Sequence, residues 1–324
     1  MAKNILVTGA SGRLGNIVGP YLKEKGFNVT NFDKLPQNPE SLNVKLNIPY
    51  IQGDLLSLGD CMRAIAHAQP DVIVHLAAIP NNTELQPAYS REYTWASDGA
   101  RFVQRLSEDE TMKVNTMGTY YLLDAARRMG VKDIIAATSY FVLGIGFRIS
   151  GTSFAPEYLP IDEDHPCSPE DTYSLSKLLN EETMKAFCRA YGMRCIAMRL
   201  MGVYHESNEL SKKIYKFGIN VPDPKENEVD YMISTTYQYV DGRDVAQFIA
   251  LAIDAKGLEP FEAFYLATDT IYKDKTVDVI KKRWPSLAKK GMGADIKGHD
   301  GIISCEKAKK LVGYKPQYSW RDKK

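Results

Sequence analysis

Short apolar runs alternate with longer amphipathic stretches through the first two thirds of the chain. Short apolar runs are typical of strands buried on both faces, and apolar positions at helical spacing predict helices that cover them. The predicted strands span residues 5–7, 27–32, 50–54, 71–76, 134–138 and 195–199, and the predicted helices span 16–25, 59–68, 108–129 and 172–191. This repeating order predicts right-handed crossovers and a parallel sheet with helices on both faces.

The pattern changes after residue 204, where polar and proline-containing stretches interrupt the alternation. A helix over 245–254 and a strand over 264–266 are expected to rejoin the main sheet, whereas helices over 276–283 and 305–311 indicate a small lobe. In such folds a late lobe covers the carboxyl ends of the strands, where ligands bind. The predicted fold is an α/β, Rossmann-type doubly wound parallel sheet with a smaller C-terminal substrate lobe. The predicted bounds are 1–204 for the sheet domain, with 236–268 rejoining it, and 205–235 with 269–324 for the lobe.

The segment from residue 80 to residue 109 separates the fourth strand from the long helix that follows it. We expect a surface excursion with one helix of its own. The alternative is a lid over a binding site, because long connections in compact domains are often functional.

Composition and charge exclude several classes of protein. The chain has 324 residues, of which 44% are hydrophobic and 25% charged, and its formal net charge is +1. These values are ordinary for a globular protein, and no basic stripe supports binding to nucleic acid or to a membrane surface. No apolar run reaches the ~18 residues of a membrane-spanning helix.

Five cysteines occur, and no two of them have the C-x-x-C spacing of a structural zinc site. We expect no metal site. A scattered, odd number of cysteines with no preceding targeting segment predicts reduced thiols in a cytoplasmic protein. The cysteines stand at positions 61, 167, 188, 195 and 305.

A glycine-rich loop joins the first predicted strand to the first helix, with the sequence Thr8-Gly9-Ala10-Ser11-Gly12-Arg13-Leu14-Gly15. Its three glycines permit a tight turn, a close approach of the backbone to a diphosphate, and close packing of helix on strand. The N–H groups at the start of the helix then face the anion. The position of the loop therefore predicts a dinucleotide site.

Acidic residues follow the next two strands. Asp33 ends the second strand, where a carboxylate suits the two ribose hydroxyls of an adenosine and repels a 2′-phosphate. This position favours NAD over NADP, although Lys34 stands beside it. We expect Asp54 and Leu55, at the end of the third strand, to contact the adenine.

The run Tyr173-Ser174-Leu175-Ser176-Lys177 places a phenol and an ammonium four residues apart, on one face of a helix. A free tyrosine titrates near pH ~10, and an adjacent lysine charge favours its phenolate. Such a pair can act as a general base toward an alcohol. The same spacing occurs at Tyr21 and Lys25, late in the first helix, where we expect a surface pair.

Taken in order, these motifs resemble the extended short-chain dehydrogenase/reductase family, which includes NAD-dependent sugar epimerases, dehydratases and dehydrogenases. The resemblance spans roughly residues 3 to 255. It rests on the 8–15 loop, Gly53-Asp54-Leu55, His75-Leu76-Ala77-Ala78, Asn115 with Gly118-Thr119, Ser139, and Tyr173 with Lys177.

The resemblance implies a role for each of these positions. Tyr173 would exchange the alcohol proton, Lys177 would lower the pKa of the tyrosine and hold the nicotinamide ribose, and Ser139 would bind the substrate oxygen. His75 is expected to be a packed strand residue. The implied cofactor contacts are Gly9, Ser11, Gly12, Arg13, Leu14, Gly15, Asp33, Asp54, Leu55, Leu76, Ala77, Ala78, Asn115, Tyr173 and Lys177.

Departures from the family pattern keep the substrate open. The run Ser139-Tyr140-Phe141-Val142-Leu143-Gly144 resembles uronate dehydrogenases, and His205 stands where epimerases commonly have glycine. The resemblance implies an NAD-dependent oxidoreductase acting on a secondary alcohol of a sugar, sugar acid or sugar nucleotide, and these departures favour a dehydrogenase. The alternatives are a 4-epimerase that retains its NAD and, in a different class, an NAD-binding regulator without catalysis.

The two long helices, 108–129 and 172–191, match the pair through which family members form dimers. Leu178, Met184 and Phe187 could serve such an interface, and core packing explains them equally well. The expected partners are a small carbohydrate substrate and a second copy of the chain.

Overall fold

The computed structural model describes residues 2–80, 109–145, 148–152, 154–204 and 238–322, the backbone of 91–94 and 101–104, and positions 107, 212, 216, 218 and 220. Contacts divide the chain into two compact units. The first comprises Met1–Thr138, Asp171–Ala197 and Lys256–Glu262, and the second comprises Ser139–Glu170, Met198–Ala255 and Ala263–Lys324.

The strands and helices follow the alternation that the sequence predicts. Up to residue 191 they are β1 (Asn4–Thr8), α1 (Gly15–Glu24), β2 (Asn28–Asp33), α2 (Leu42–Lys45), β3 (Tyr50–Gln52), α3 (Leu58–Ala68), β4 (Val72–His75), β5 (Arg91–Thr94), β6 (Arg101–Gln104), α4 (Glu110–Met112), α5 (Gly118–Arg128), β7 (Asp133–Ser139) and α6 (Thr172–Tyr191). The remaining elements are β8 (Arg194–Leu200), β9 (Gly202–Tyr204), β10 (Tyr239–Asp241), α7 (Gly242–Asp254), β11 (Phe261–Leu266), α8 (Thr276–Arg283), α9 (Pro285–Lys289) and α10 (Glu306–Val312).

Seven strands form the main sheet, in the order β11-β8-β7-β4-β1-β2-β3. The β1–β2, β1–β4, β2–β3 and β4–β7 pairs are parallel. All four residues of β4 are buried, as are the last four of β1, which explains the apolar runs 5–7 and 72–74 in these strands. The predicted doubly wound α/β fold is confirmed.

The predicted long helix over 108–129 contains an irregularity that its sequence pattern does not show. Between α4 and α5 the backbone makes one π-helical turn, Lys113–Met117. Such turns are rare and occur often at functional sites.

Within residues 80–109 the structure describes two short stretches of backbone. The described backbone there forms two antiparallel strands, β5 and β6, which the sequence did not predict, and the expected helix stays a prediction. Both runs mix aromatic and β-branched residues with charges, which suits a pleated ribbon. The rest of this segment and most of 205–237 lie outside the described residues. The lid, the role of His205 and the assignment of 205–235 and 269–324 to substrate binding stay predictions.

In the second unit, the C-terminal segment is tied to the start of α7. The carboxylate of Asp244, which is fully buried, accepts the backbone N–H groups of Gln317 (2.8 Å) and Tyr318 (3.2 Å). The guanidinium of Arg243 lies 3.7 Å from the centre of the Tyr318 ring. These contacts hold the end of the chain against its own unit.

Candidate active site

The glycine-rich loop passes so close to the chain after β4 that only glycine fits. Gly9 has φ +72°, and a Cβ atom on it would lie 2.5 Å from the backbone nitrogen of Ala77. A Cβ atom on Gly15 would lie 2.4 Å from the carbonyl oxygen of Gly9. Since real Cβ contacts are not this short, both positions require glycine for the loop to keep its shape.

The N-terminus of α1 is open toward the loop. Its N-cap residue, Leu14, provides no side-chain hydrogen bond, and the first turn carries no acidic residue. The N–H groups of Asn16 and Ile17 already donate to the carbonyls of Gly12 and Leu14, both at 3.0 Å, so the helix dipole is what favours an anion at this end. This end of α1 therefore favours an anion, and the diphosphate at this place stays a prediction.

Asp33 lies beside this loop. Its carboxylate accepts the backbone N–H of Ser11 (2.9 Å) and that of Leu35 (2.9 Å). Burial raises the pKa of Asp33, and the hydrogen bonds from these backbone N–H groups oppose that shift. The neighbouring Lys34 ammonium forms an ion pair with Asp54 at 2.8 Å. The lysine that weakened the preference for NAD is therefore paired with a carboxylate.

The predicted contacts after β3 and β4 lie around the same loop. Leu55 is buried, and its Cβ would be 3.1 Å from a Cβ placed on Gly118. The N–H of Ala77 donates weakly to the Thr8 hydroxyl (3.4 Å), and Leu76, Ala77 and Ala78 are all half-buried. These residues form a small, largely apolar surface next to Gly9.

Asn115 lies in the π-helical turn, and both the oxygen and the nitrogen of its side-chain amide make hydrogen bonds within the protein. Its Nδ2 donates to the carbonyl of Ile79 (3.0 Å) and to the Ser176 hydroxyl (3.0 Å), and its Oδ1 accepts the N–H of Ile79 (2.7 Å). The Ser176 hydroxyl in turn donates to the carbonyl of Tyr173 at 2.7 Å. Asn115 thus connects the chain after β4 to the helix that carries Tyr173.

His75, at the end of β4, is held in one tautomer by its partners. The Thr119 hydroxyl donates its proton to the carbonyl of Asn115 (2.6 Å), so it can only accept from His75 Nε2, 3.0 Å away. The other ring nitrogen, Nδ1, then accepts from the Thr8 hydroxyl at 2.7 Å. Burial lowers the pKa of His75 to about 3, and the charge of Lys177 acts in the same direction. His75 is a neutral, packed strand residue.

Tyr173 and Lys177 occupy the first turns of α6. Asp171 caps this helix by accepting the N–H of Ser174 at 3.0 Å. Lys177 is only 3% exposed, and its ammonium donates to the carbonyl of Ala137 in β7 at 3.0 Å. Burial lowers the pKa of Lys177 to about 8. Its nitrogen lies 5.8 Å from the centre of the half-buried Tyr173 ring.

Burial separates this pair from the second Tyr/Lys pair. Lys25 lies 5.3 Å from the centre of the Tyr21 ring, which is a similar distance, yet Lys25 is exposed. A lysine charge in water is screened, whereas a buried charge acts strongly on its neighbours. The prediction that Tyr21 and Lys25 form a surface pair fits their exposure.

Ser139, the third predicted catalytic residue, ends β7 and belongs to the second unit. It is 5% exposed, and its hydroxyl oxygen accepts the N–H of Phe141 at 3.2 Å, which caps the 3-10 turn Tyr140–Leu143. Since the oxygen accepts in this contact, the hydroxyl keeps a proton that it can donate.

Three polar residues at the site were not predicted. Ser176 lies inside the Tyr173…Lys177 motif, so its helical spacing could have indicated it. Asn16 and Asn43 contact the glycine-rich loop, and no signal in the sequence marks either of them. Asn43 could not be found by spacing, because it comes from the short helix α2, 33 residues away from Ala10.

Two further observations concern the described part of the chain. No helix there is long and apolar enough to cross a membrane. Those residues also contain no group of three or more histidine, cysteine or acidic side chains that could hold a metal ion.

A glycine-rich loop between a strand and a helix, with a carboxylate at the end of the next strand, is typical of dinucleotide-binding α/β domains. Comparison with known proteins is more specific. The chain belongs to the NAD-dependent epimerase/dehydratase family, whose model matches residues 5–100 and 93–267. The predicted family and the predicted cofactor, NAD, are confirmed, and the chain is an NAD-dependent enzyme.

Individual relatives are more distant. A putative UDP-glucose 4-epimerase of Methanocaldococcus jannaschii is 26% identical over 257 residues, which cover 78% of this chain and 74% of that protein. Among solved structures, UDP-glucose 4-epimerase from Brucella ovis in complex with NAD has a TM-score of 0.64 at 18% identity, covering 98% of this chain and 94% of that one. A mutated uronate dehydrogenase has a TM-score of 0.60 at 20% identity, covering 99% and 84%. At these identities the structural likeness concerns the fold.

Proposed function

We propose that this enzyme oxidises a secondary alcohol of a sugar, sugar acid or sugar nucleotide, with NAD as the hydride acceptor. The observation that carries the proposal is the buried ammonium of Lys177, held by the carbonyl of Ala137 one helical turn from Tyr173. A positive charge in a poorly solvated place stabilises a phenolate far more than a charge in water.

Each of the three residues has a distinct task in this proposal. Tyr173 takes the alcohol proton as general base, and Lys177 stabilises the phenolate that this requires. Ser139 donates its hydroxyl proton to the substrate oxygen, where negative charge develops as the alcohol is deprotonated. NAD, when bound, accepts the hydride from the same carbon, and the protein positions the two reactants.

The residues around the glycine-rich loop would hold the cofactor. We assign the diphosphate to the loop from Gly9 to Gly15, with Ser11, Gly12, Arg13 and Leu14, and the adenosine ribose to Asp33. Asp54 and Leu55 would border the adenine, and Leu76, Ala77, Ala78 and Asn115 would line the path toward Tyr173 and Lys177. The tight backbone at Gly9 and Gly15, where no Cβ atom fits, supports the assignment of the diphosphate to this loop.

A 4-epimerase is the second candidate, and the relatives favour it, since one is described as a putative UDP-glucose 4-epimerase. Both reactions share the proton and hydride transfer, and an epimerase then returns the hydride to the other face of the sugar. The likeness to a uronate dehydrogenase supports the first candidate in fold alone.

One panel separates these candidates. The protein is incubated with NAD and, separately, with uronates, free sugars and UDP-sugars, while NADH absorbance is followed and the products are chromatographed. Accumulating NADH identifies a dehydrogenase. An isomeric sugar without net NADH identifies an epimerase, and NAD binding without turnover of any substrate would leave only the non-catalytic regulator.

We also propose that the enzyme is a cytoplasmic homodimer that pairs through α5 and α6. Met184 and Phe187, named for this interface above, are buried inside the chain. The outer face of the two helices instead exposes Tyr120 by 43% and Tyr191 by 48%, joined through Phe187, whose ring lies 5.7 Å from the first and 5.2 Å from the second. Sedimentation that shows only monomer at micromolar concentration would contradict the dimer.

A further inference from the structure

We propose that Asn43 and Asn16 form a clamp that fixes the carbonyl groups of the glycine-rich loop, so that Asn43 is a positioning residue for NAD. This inference rests on the proposed assignment of the diphosphate to that loop. Neither asparagine belongs to the sequence motif of the loop, and Asn43 comes from α2, an element that the alternation of strands and helices does not require.

The donors and acceptors around the two side-chain amides determine which atom of each is the nitrogen and which is the oxygen. Asn16 Nδ2 lies 3.2 Å from the carbonyl of Ser11 and 3.0 Å from that of Gly12, and both are acceptors, so it must donate. Asn16 therefore presents Oδ1 on its other side. Asn43 Nδ2 donates to that oxygen at 3.1 Å and to the carbonyl of Ala10 at 3.2 Å, with a weak third contact to Gly15 at 3.5 Å.

The clamp therefore holds three successive carbonyls of the loop, those of Ala10, Ser11 and Gly12. Asn43 is fully buried, so water does not compete for these hydrogen bonds. The peptide units of these carbonyls are also held from their other side, since the N–H of Ser11 donates to the Asp33 carboxylate (2.9 Å) and the N–H of Gly12 donates to the carbonyl of Gly9 (3.0 Å). The clamp therefore fixes the shape of the loop, which decides how closely a diphosphate can approach its backbone. Fixing the carbonyls before NAD binds reduces the conformational entropy that binding would otherwise cost.

The chain contains a matched control for Asn43. Asn31, in β2, is equally buried, and its amide group has no hydrogen-bond partner among the described residues. The two side chains are neighbours, since a Cβ atom on Gly19 would lie 2.4 Å from Asn43 Oδ1 and 3.4 Å from Asn31 Oδ1. The Asn31 side chain makes no hydrogen bond to the loop.

The experiment compares Asn43→Leu with Asn31→Leu, two substitutions that keep the branching of the side chain and remove the amide. We expect Asn43→Leu to weaken NAD binding about tenfold, because hydrogen bonds of the loop are lost, while Asn31→Leu binds as the wild type does. In turnover, KM for NAD should rise in Asn43→Leu while kcat and KM for the sugar stay unchanged. A purely structural role would instead affect all three constants, or none of them.

Gly19→Ala tests the clamp from the opposite side, without touching the loop or removing a donor. Its new methyl group must displace the Asn43 side chain, whereas alanine inside α1 favours the helix. We expect weaker NAD binding together with a lower melting temperature, because a buried side chain is displaced. This variant carries the test if Asn43→Leu fails to fold.

The outcomes separate this inference from the proposed function. Wild-type affinity for NAD in Asn43→Leu or in Gly19→Ala overturns the clamp and leaves the proposed function intact. An equal loss of affinity in Asn31→Leu also overturns it, because that variant keeps every hydrogen bond of the loop. A wild-type protein that binds no NAD would contradict the proposed function itself.

Discussion

The ring of His75 donates through Nε2–H to the hydroxyl of Thr119, 3.0 Å away. This direction is forced, because the only proton of that hydroxyl goes to the carbonyl of Asn115. We expect nitrogen NMR to show the neutral Nε2–H tautomer of His75. Because burial lowers the pKa of His75 to about 3, its signals should not titrate between about pH 4 and pH 8.

His165 provides an internal reference for this measurement. Its Nε2 accepts the N–H of Glu157 at 3.0 Å, and its Nδ1 lies 3.0 Å from the carbonyl of Pro166, so the neutral ring carries its proton on Nδ1. The two histidines should therefore show opposite tautomers. A doubly protonated His75 at neutral pH, or the same tautomer at both sites, would contradict the hydrogen-bond network.

Replacing Tyr173 by Phe removes the phenolic hydroxyl, which is the proposed general base, and keeps the aromatic ring. We expect kcat to fall by about 10²- to 10⁴-fold, while NAD binds with an affinity close to that of the wild type. Tyr21→Phe is the matched control, since Tyr21 has the same spacing to a lysine that is exposed. Titration with NAD and steady-state rates measure both variants. Full activity in Tyr173→Phe would refute the mechanism.

We expect the loss of the Lys177 charge to lower activity at high pH. Burial lowers the pKa of Lys177 to about 8, so the free enzyme loses this positive charge as the pH rises through that value. The phenolate of Tyr173 then loses its support, and kcat/KM should fall above about pH 8. In Lys177→Arg the charge persists, and the fall should move to higher pH. A pH profile identical in both enzymes would exclude Lys177 as the titrating group.

The variant Gly9→Ala tests the close approach of the glycine-rich loop to the chain after β4. In Gly9→Ala the new Cβ would lie 2.5 Å from the nitrogen of Ala77, so the loop must shift and NAD binding should be lost. Gly26→Ala is the control, because Gly26 also has a positive φ, +90°, but no atom within 4 Å of its Cβ position. Both variants should lose about 1–3 kcal/mol of stability through backbone strain. NAD titration and thermal melting distinguish the two effects, and NAD binding in Gly9→Ala would contradict the close approach.

The sequence predicted most of the elements because their signals are local. The apolar runs of β1 and β4 and the capped start of α6 depend on neighbours within a few residues. The π-helical turn around Asn115 and the strand pair β5–β6 were not predicted, because tertiary contacts decide between closely related backbone geometries. The short helix α2 was missed for the same reason.

By itself, the sequence determined the order of strands and helices, the glycine-rich loop, the carboxylate of Asp33 and the family. Position along the chain already separated Lys177 from Lys25, but only the tertiary structure supplied the physical difference, since it places the carbonyl of Ala137, 40 residues away, against one ammonium and leaves the other exposed. Only the tertiary structure placed Asn43 on the loop and fixed the tautomer of His75, whose partner Thr8 is 67 residues away. Burial and hydrogen-bond partners arise from chain segments that meet only on folding, and spacing along the sequence does not encode them.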